Sequence, residues 1–255
     1  PTRRQRQMCI RDSSIVMKNN EDIRTGFHSI ENIISFNPFK IKKIFLPSLR
    51  DDERIENLIE LANKNNISFE ISKKLKKEPQ AIIKKEKNLD LKDLKKFIDE
   101  NKNKEFSILI LDNILDPRNL GACIRSAAVL EVDAIIINKH QCAPLNDIAH
   151  NVSAGGAEIV NIFHVSNLVN CVKYLKDFGI QIFGLSEHAI DTYTDYSFTN
   201  SCAIIMGSEE FGLRKKTIEN CDKLIKLNTN KNFKSFNVSV ATGIILSELS
   251  RQRKC

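Results

Sequence analysis

Three separate stretches of this chain carry side chains suited to chemistry, and each follows a short apolar run. The first is "DPRNLGACIRSA", after "FSILILD". Asp116-Pro117 predicts a helix start with proline in its first turn. Leu120, Cys123, Ile124, Ala127 and Leu130 form the buried stripe of that helix. Arg125 falls about 140° from Leu120 at ~100° per residue, so its guanidinium is free to reach across the strand ends. An ordinary solvated arginine would occupy the same position. The second stretch is "SEEFGL", after "CAIIMG". Gly207 and Gly212 bracket Glu209 and Glu210 in a tight turn, where a carboxylate holds a cationic or hydroxylated ligand. Acids facing a helix dipole explain the same turn. The third stretch is "SFNVSVATGI", beyond "KLIKLN". Ser235, Asn237 and Ser239 place short donors and acceptors at a helix start whose backbone amides are unpaired. Plain capping uses one of them, not three.

Positioning these loops together requires a particular kind of scaffold. From Phe106 onward the strands "FSILILD", "DAIIIN", "QIFGLS", "CAIIMG" and "KLIKLN" alternate with helices. The helices are expected over Arg118–Leu130, Ser166–Phe178, Leu213–Asn220 and Asn237–Arg251. Short apolar strands alternating with helices predict a parallel sheet covered on both faces. Ligands of such sheets bind beyond the carboxyl ends of the strands, where all three stretches fall. Residues 17–87 read as a smaller α/β unit: a helix in "TGFHSIENIISF", a strand in "IKKIFLP", a helix in "DDERIENLIELANKNN", and strands in "ISFEIS" and "PQAIIKKE". Residues 88–104 read as a Lys-rich linker. Leu91, Leu94 and Phe97–Ile98 give it a modest amphipathic period, and the expected form is a solvated surface helix.

Composition narrows the class. The chain has 255 residues, 42% of them hydrophobic, enough for one large domain or two unequal ones. No apolar run approaches the ~18 residues of a membrane span. The formal charge is +7. The first stretch, "PTRRQRQMCIRDSS", has no amphipathic period, and residues 1–16 are read as a non-native or disordered arm, with Met17 a plausible start. Arg3, Arg4, Arg6 and Arg11 against Asp12 carry +3 of the charge and leave +4, which permits a nucleic-acid partner without requiring one. Seven cysteines without a C-x-x-C pair read as buried free thiols in a reducing cytoplasm, and no metal site is expected.

In order and combination, "DPRNLGACIRSA", "IIMGSEEFGL" and "SFNVSVATGI" resemble the three motifs of the SPOUT class of RNA methyltransferases, in its SpoU/TrmH ribose 2′-O branch. The likeness runs from about Phe106 to Arg251 and takes in "APLNDIAHNVSAGGAE" and "GLSEHAIDTYTDYSF". Residues 17–87 resemble, more weakly, the ribosomal-L30e-like substrate-binding domain of RlmB-like 23S rRNA guanosine-2′-O-methyltransferases. The resemblance implies a trefoil knot in the methyltransferase domain, residues 105–255, and a homodimer whose active sites take residues from both protomers. It implies S-adenosyl-L-methionine as cofactor, contacted by Gly207, Leu227 and Phe236. It implies a catalytic neighbourhood of Asn119, Arg125, Glu209, Ser235 and Asn237.

The implied reaction is methyl transfer to a ribose hydroxyl of RNA, most simply a guanosine of 23S ribosomal RNA. A guanidinium is a poor base, so Arg125 is expected to stabilise alkoxide charge and grip the adjacent phosphate. Departures from the family pattern include Ala81 where glycine is usual, Phe211 in the second motif, and the Lys-rich linker; they bear on the RNA target, not on the cofactor. The competing readings are a tRNA ribose 2′-O-methyltransferase and a non-catalytic RNA-binding assembly factor. A metabolic enzyme on an ordinary doubly wound sheet is disfavoured by the lack of a glycine-rich phosphate loop.

Overall fold

A computed structural model describes residues 20–50, 52–230 and 235–253, which form two compact units divided after Lys87. The expected arm over residues 1–16 lies outside the described residues.

The first unit is a four-stranded sheet with two helices. Its elements are β1 (Glu21–Thr25), α1 (Phe27–Phe36), β2 (Ile41–Pro47), α2 (Glu53–Lys64), β3 (Phe69–Ser72) and β4 (Gln80–Lys84). The strand order is β1-β4-β2-β3, with β2 and β3 parallel and β4 antiparallel to both its neighbours. Ile30, Ile33 and Ile34 of α1 share a core with Leu58 and Ala62 of α2 and with Ile44, Ala81 and Ile83 of the sheet. Asp52 starts α2 by accepting the backbone N–H groups of Arg54 and Ile55 at 3.2 and 3.3 Å. β1 was not expected from the sequence. "EDIRT" has one aliphatic residue, and an edge strand needs little apolar surface to pair.

The second unit begins with α3 (Leu91–Asn101) and continues through β5 (Ser107–Leu111), α4 (Pro117–Val129), β6 (Ala134–Asn138), α5 (Asp147–Ser153) and β7 (Asn161–Val165). It then runs through α6 (Leu168–Asp177), β8 (Gln181–Leu185), β9 (Cys202–Met206), α7 (Lys215–Ile218), β10 (Lys223–Ile225) and α8 (Val238–Arg253). Six parallel strands lie in the order β10-β8-β9-β5-β6-β7. The side-chain period of two divides the central strands between two cores. Leu109, Leu111, Ile135, Ile137 and Ile204 pack with Leu120 and Ile124 of α4 and Ile245 and Leu249 of α8. Ile108, Ile110, Ile136 and Ile205 pack on the other face with Leu94 and Ile98 of α3 and Val172 and Leu175 of α6. The expected parallel sheet with helices on both faces is the observed one.

The Lys-rich stretch differs from its expected form. It is neither a linker nor a solvated helix. Leu94 and Ile98 are 0% exposed, and Leu89 bridges Phe163 on β7, so the stretch covers one face of the second unit. Its lysines sit on the outer side and dominated the sequence pattern. Asp90 and Asp93 form a capping box at its start.

Strands β5, β6 and β7 run outward in one direction from β5, and β9 and β8 lie on the other side of it. The strand order therefore reverses between β5 and β9, the place where open parallel sheets bind ligands. Helices α4 and α8 lie together on one face, joined where Cys123 Sγ meets Thr242 Oγ1 at 3.4 Å. Helix α4 also packs closely on α5. A Cβ on Gly121 would sit 2.5 Å from the carbonyl oxygen of Ala149. The end of α8 is tied down by Arg253, whose guanidinium donates to the carbonyls of Phe198, Phe106 and Asn200 at 2.9, 3.1 and 2.7 Å. No helix among the described residues is long and apolar enough to cross a membrane.

Candidate active site

The turn after β9 reaches the start of α8 through one carboxylate. Glu209 Oε1 accepts the backbone N–H of Val238 at 3.2 Å and also bonds Asn237 Nδ2. The same Nδ2 donates to Asn119 Oδ1 at 3.1 Å. Asn237 Oδ1 in turn accepts the backbone N–H of Ser239 at 3.0 Å and so caps α8. Residues from the loops after β5, β9 and β10 thus meet in one bonded cluster. The acid that the sequence placed in a helix-start turn faces the N-terminus of α8, not that of the α7 it precedes. There its charge is favoured by the helix dipole.

Beside this cluster lies a cavity of about 280 Å³. Gly207, Leu227 and Phe236 line it, together with Glu209 and Ser235. Gly207 is needed for the turn itself. A Cβ there would lie 2.3 Å from the carbonyl carbon of Gly212 and 2.5 Å from the amide of Leu213. The turn is closed by paired backbone bonds between Ser208 and Gly212 at 2.9 and 3.1 Å, and Gly212 adopts a φ of 63°. The tight turn expected around Gly207 therefore requires glycine for its own backbone packing.

The cavity also contains residues that the sequence did not single out as site residues. Ser186, Glu187 and His188, just beyond β8, form one side, and Thr229 and Ala241 contribute elsewhere. The rule that ligands gather beyond strand ends points to Ser186–His188 without any motif. Phe211 lines the mouth and is 71% exposed.

Arg125 stands apart within the single chain. It is exposed on α4, off the buried stripe as expected, and does not line the cavity. It follows Asn119 by six positions, which places it ~9 Å further along the helix axis and about 120° around it. Among the described residues its guanidinium makes no hydrogen bond or ion pair.

The thiols on this unit are quiet. Burial pushes Cys123 up to about 11, with the Glu209 charge adding to the rise and the Thr242 hydroxyl opposing it. Cys171, Cys202 and Cys221 are also raised by burial. None is a nucleophile at neutral pH.

A parallel α/β sheet with a polar cluster at its switch point and a cavity beyond β8, β9 and β10 defines the class, and the chain belongs to the SpoU rRNA Methylase family, whose profile matches residues 85–247. The protein from Acinetobacter baylyi named 23S rRNA (guanosine-2′-O-)-methyltransferase RlmB is 34% identical over 241 residues, covering 89% of this chain and 96% of that one. Its namesake from Blochmanniella floridana is 36% identical over 239 residues, covering 90% and 94%. The crystal structure of the SpoU methyltransferase AviRb from Streptomyces viridochromogenes, in complex with the cofactor AdoMet, has the same fold. It superposes with a TM-score of 0.74 at 20% identity and covers 99% of each chain.

Proposed function

We propose that this chain is an S-adenosylmethionine-dependent ribose 2′-O-methyltransferase acting on a guanosine of 23S ribosomal RNA in the cytoplasm. The observation that carries the reading is the meeting of Asn119, Glu209 and Asn237 at the switch point, beside a cavity that opens beyond β8, β9 and β10.

The cavity suits the cofactor. Leu213, Leu227, Phe236 and Ala241 give it apolar walls, and Glu187, Glu209 and Glu210 bring negative charge to its lining. A cationic ligand with an apolar body fits such a site. Gly207, Leu227 and Phe236 would hold S-adenosylmethionine, which supplies an electrophilic methyl carbon when bound. The residues of this chain then have positional and electrostatic work to do. Glu209 and Asn119 fix the carboxamide of Asn237, and Ser235 supplies a further hydroxyl on the cavity wall. Arg125 is the cation of the site. Its guanidinium would stabilise negative charge on the ribose oxygen as the proton passes to solvent, and would bind the neighbouring phosphate.

The position of Arg125 supports a homodimer in which each site receives the arginine of the second protomer. Leu115, Val129, Ile148 and Val240, all exposed on or beside α4, α5 and α8, give that association an apolar face. The trefoil knot belongs to the same reading. Lys226 is bonded to Asp191 and Tyr193 in the segment after β8, before the chain returns to start α8 against Glu209.

The first unit is assigned as an L30e-like RNA-binding domain. Lys73, Lys74, Lys76 and Lys77 stand exposed between β3 and β4, where they would meet phosphates. The deciding experiment incubates the protein and S-adenosylmethionine with unmodified 23S rRNA and, separately, with tRNA, then maps ribose methylation by nucleotide. Methylation of one rRNA guanosine is expected. Modification of tRNA alone transfers the activity to the other substrate, and none on either RNA removes it.

A further inference from the structure

One buried charge in the second unit lies outside the three motif stretches. Asp112 follows β5 directly and is 0% exposed. A carboxylate at that depth must be compensated. Its Oδ2 accepts the Thr217 hydroxyl at 2.7 Å. Its Oδ1 lies 2.6 Å from Arg214 Nη2, an ion pair whose angle falls short of a hydrogen bond. Its backbone N–H donates to the carbonyl of Met206 at 2.8 Å.

These partners have a meaningful order along the chain. Met206 is the last residue before Gly207, and Arg214 and Thr217 come just after Leu213. Asp112 therefore holds the turn 207–213 at both ends, by its backbone at the start and by its carboxylate at the finish. Leu213 is also buried in the apolar core beneath the turn. The turn's paired Ser208–Gly212 bonds are internal, and its outward bonds run from Glu209 to Asn237 and Val238. Gly207, Gly212 and Leu213, all within this clamped stretch, line the cavity.

Arg214 is half-buried, and the pair is a weak source of net stability, because desolvation of the buried carboxylate offsets the attraction. What it does well is fix geometry, since few arrangements satisfy a buried carboxylate. We infer that Asp112 is a positioning residue for cofactor binding: through Arg214 and Thr217 it sets the span of the 207–213 turn, and so the cavity wall and the aim of Glu209. Asp112 touches neither the cavity nor the Asn119–Glu209–Asn237 cluster directly. The inference rests on the methyltransferase reading.

The test measures S-adenosylhomocysteine binding by calorimetry, and KM and kcat with rRNA, for the full chain and its Asp112→Asn, Thr217→Val, Arg214→Gln and Arg214→Lys variants. Asp112→Asn keeps the size and loses the charge. It is expected to weaken ligand binding and raise the cofactor KM about tenfold, with kcat and the RNA KM changed less than about threefold. Thr217→Val, a milder change that should fold if Asp112→Asn does not, is expected to act in the same direction by about threefold. Arg214→Lys should recover part of what Arg214→Gln loses. Combined Asp112→Asn and Arg214→Gln should cost little more than either alone, as for two ends of one clamp. Variants that lower the melting temperature yet bind the ligand as the parent does would overturn the inference and leave the enzyme reading intact. A parent chain that binds no S-adenosylhomocysteine overturns both.

Discussion

The carboxylate of Glu209 accepts the backbone N–H of Val238 at 3.2 Å across 29 positions of chain, so the turn after β9 is bonded to the first residue of α8. The same oxygen bonds Asn237, which reaches on to Asn119. Replacing Glu209 by glutamine retains an acceptor but removes the charge from the helix start, and the amide orients both neighbours less firmly. Methyl transfer is expected to fall about 10- to 100-fold, the worth of a charged hydrogen bond of ~1.5–3 kcal/mol. Single-turnover rates at saturating cofactor check this; an unchanged rate would take Glu209 out of the site.

Gly207→Ala tests the turn. The added methyl has no flexible neighbour to displace, because the atoms at 2.3–2.5 Å are the backbone of Gly212 and Leu213. Forced overpacking typically costs about 1–3 kcal/mol. The expected result is a lower unfolding midpoint together with a loss of S-adenosylhomocysteine binding, read by calorimetry. Gly212→Ala probes a different property. Nothing lies within 4 Å of a Cβ there, but its φ of 63° is unfavourable for alanine. It should cost about 1 kcal/mol.

Arg125 invites a mixing experiment. If each site takes its arginine from the second protomer, Arg125→Ala and Glu209→Ala chains are each inactive as pure homodimers. Refolded or co-expressed together at equal amounts, half the dimers are mixed, and each of these has one intact site, restoring about a quarter of parental activity. Absence of recovery, in dimers verified by mass to be mixed, means that arginine and carboxylate act within one chain.

The buried thiols set an alkaline limit. Burial holds Cys123 and Cys202 at about 11 and Cys171 and Cys221 at about 12, against an ordinary 9.0. The neutral forms are therefore favoured by folding. Their contribution is complete below pH 9 and is lost as pH rises towards 11–12, because the unfolded chain ionises first. Urea midpoints should be level from pH 7 to 8 and fall from pH 9 upward. A Cys171→Ala chain should show a shallower fall. Iodoacetamide at pH 7.5 should label Cys123, Cys171 and Cys202 only after denaturation.

The parallel sheet was legible because its central strands are buried on both faces and read as unbroken apolar runs, "SILIL", "AIIIN" and "CAIIM". The edge strands were harder. "EDIRT" of β1 and "NIFHV" of β7 carry polar residues, and neither was separated from its surroundings in the sequence. Helix α5 is a short element whose fit depends on Gly121 of another helix, a contact that no local period encodes. Motif order pointed to Asn119, Glu209 and Asn237, and the structure bonds all three. Asp112 was passed over because it read as the polar end of a strand; its partners lie about a hundred positions away. The Lys-rich stretch misled for a related reason. Exposed lysines outnumber the two residues, Leu94 and Ile98, that decide where the helix goes.

The closed approach of Gly207 to Gly212 also bears on how this site responds to selection. Any side chain at position 207 meets main-chain atoms, so no single-codon change there reshapes the cavity floor while leaving the turn intact. A drug candidate pressed against that floor would face little escape by resistance at Gly207, whereas one leaning on Phe211 would rest on a side chain that is largely exposed and packs in no core.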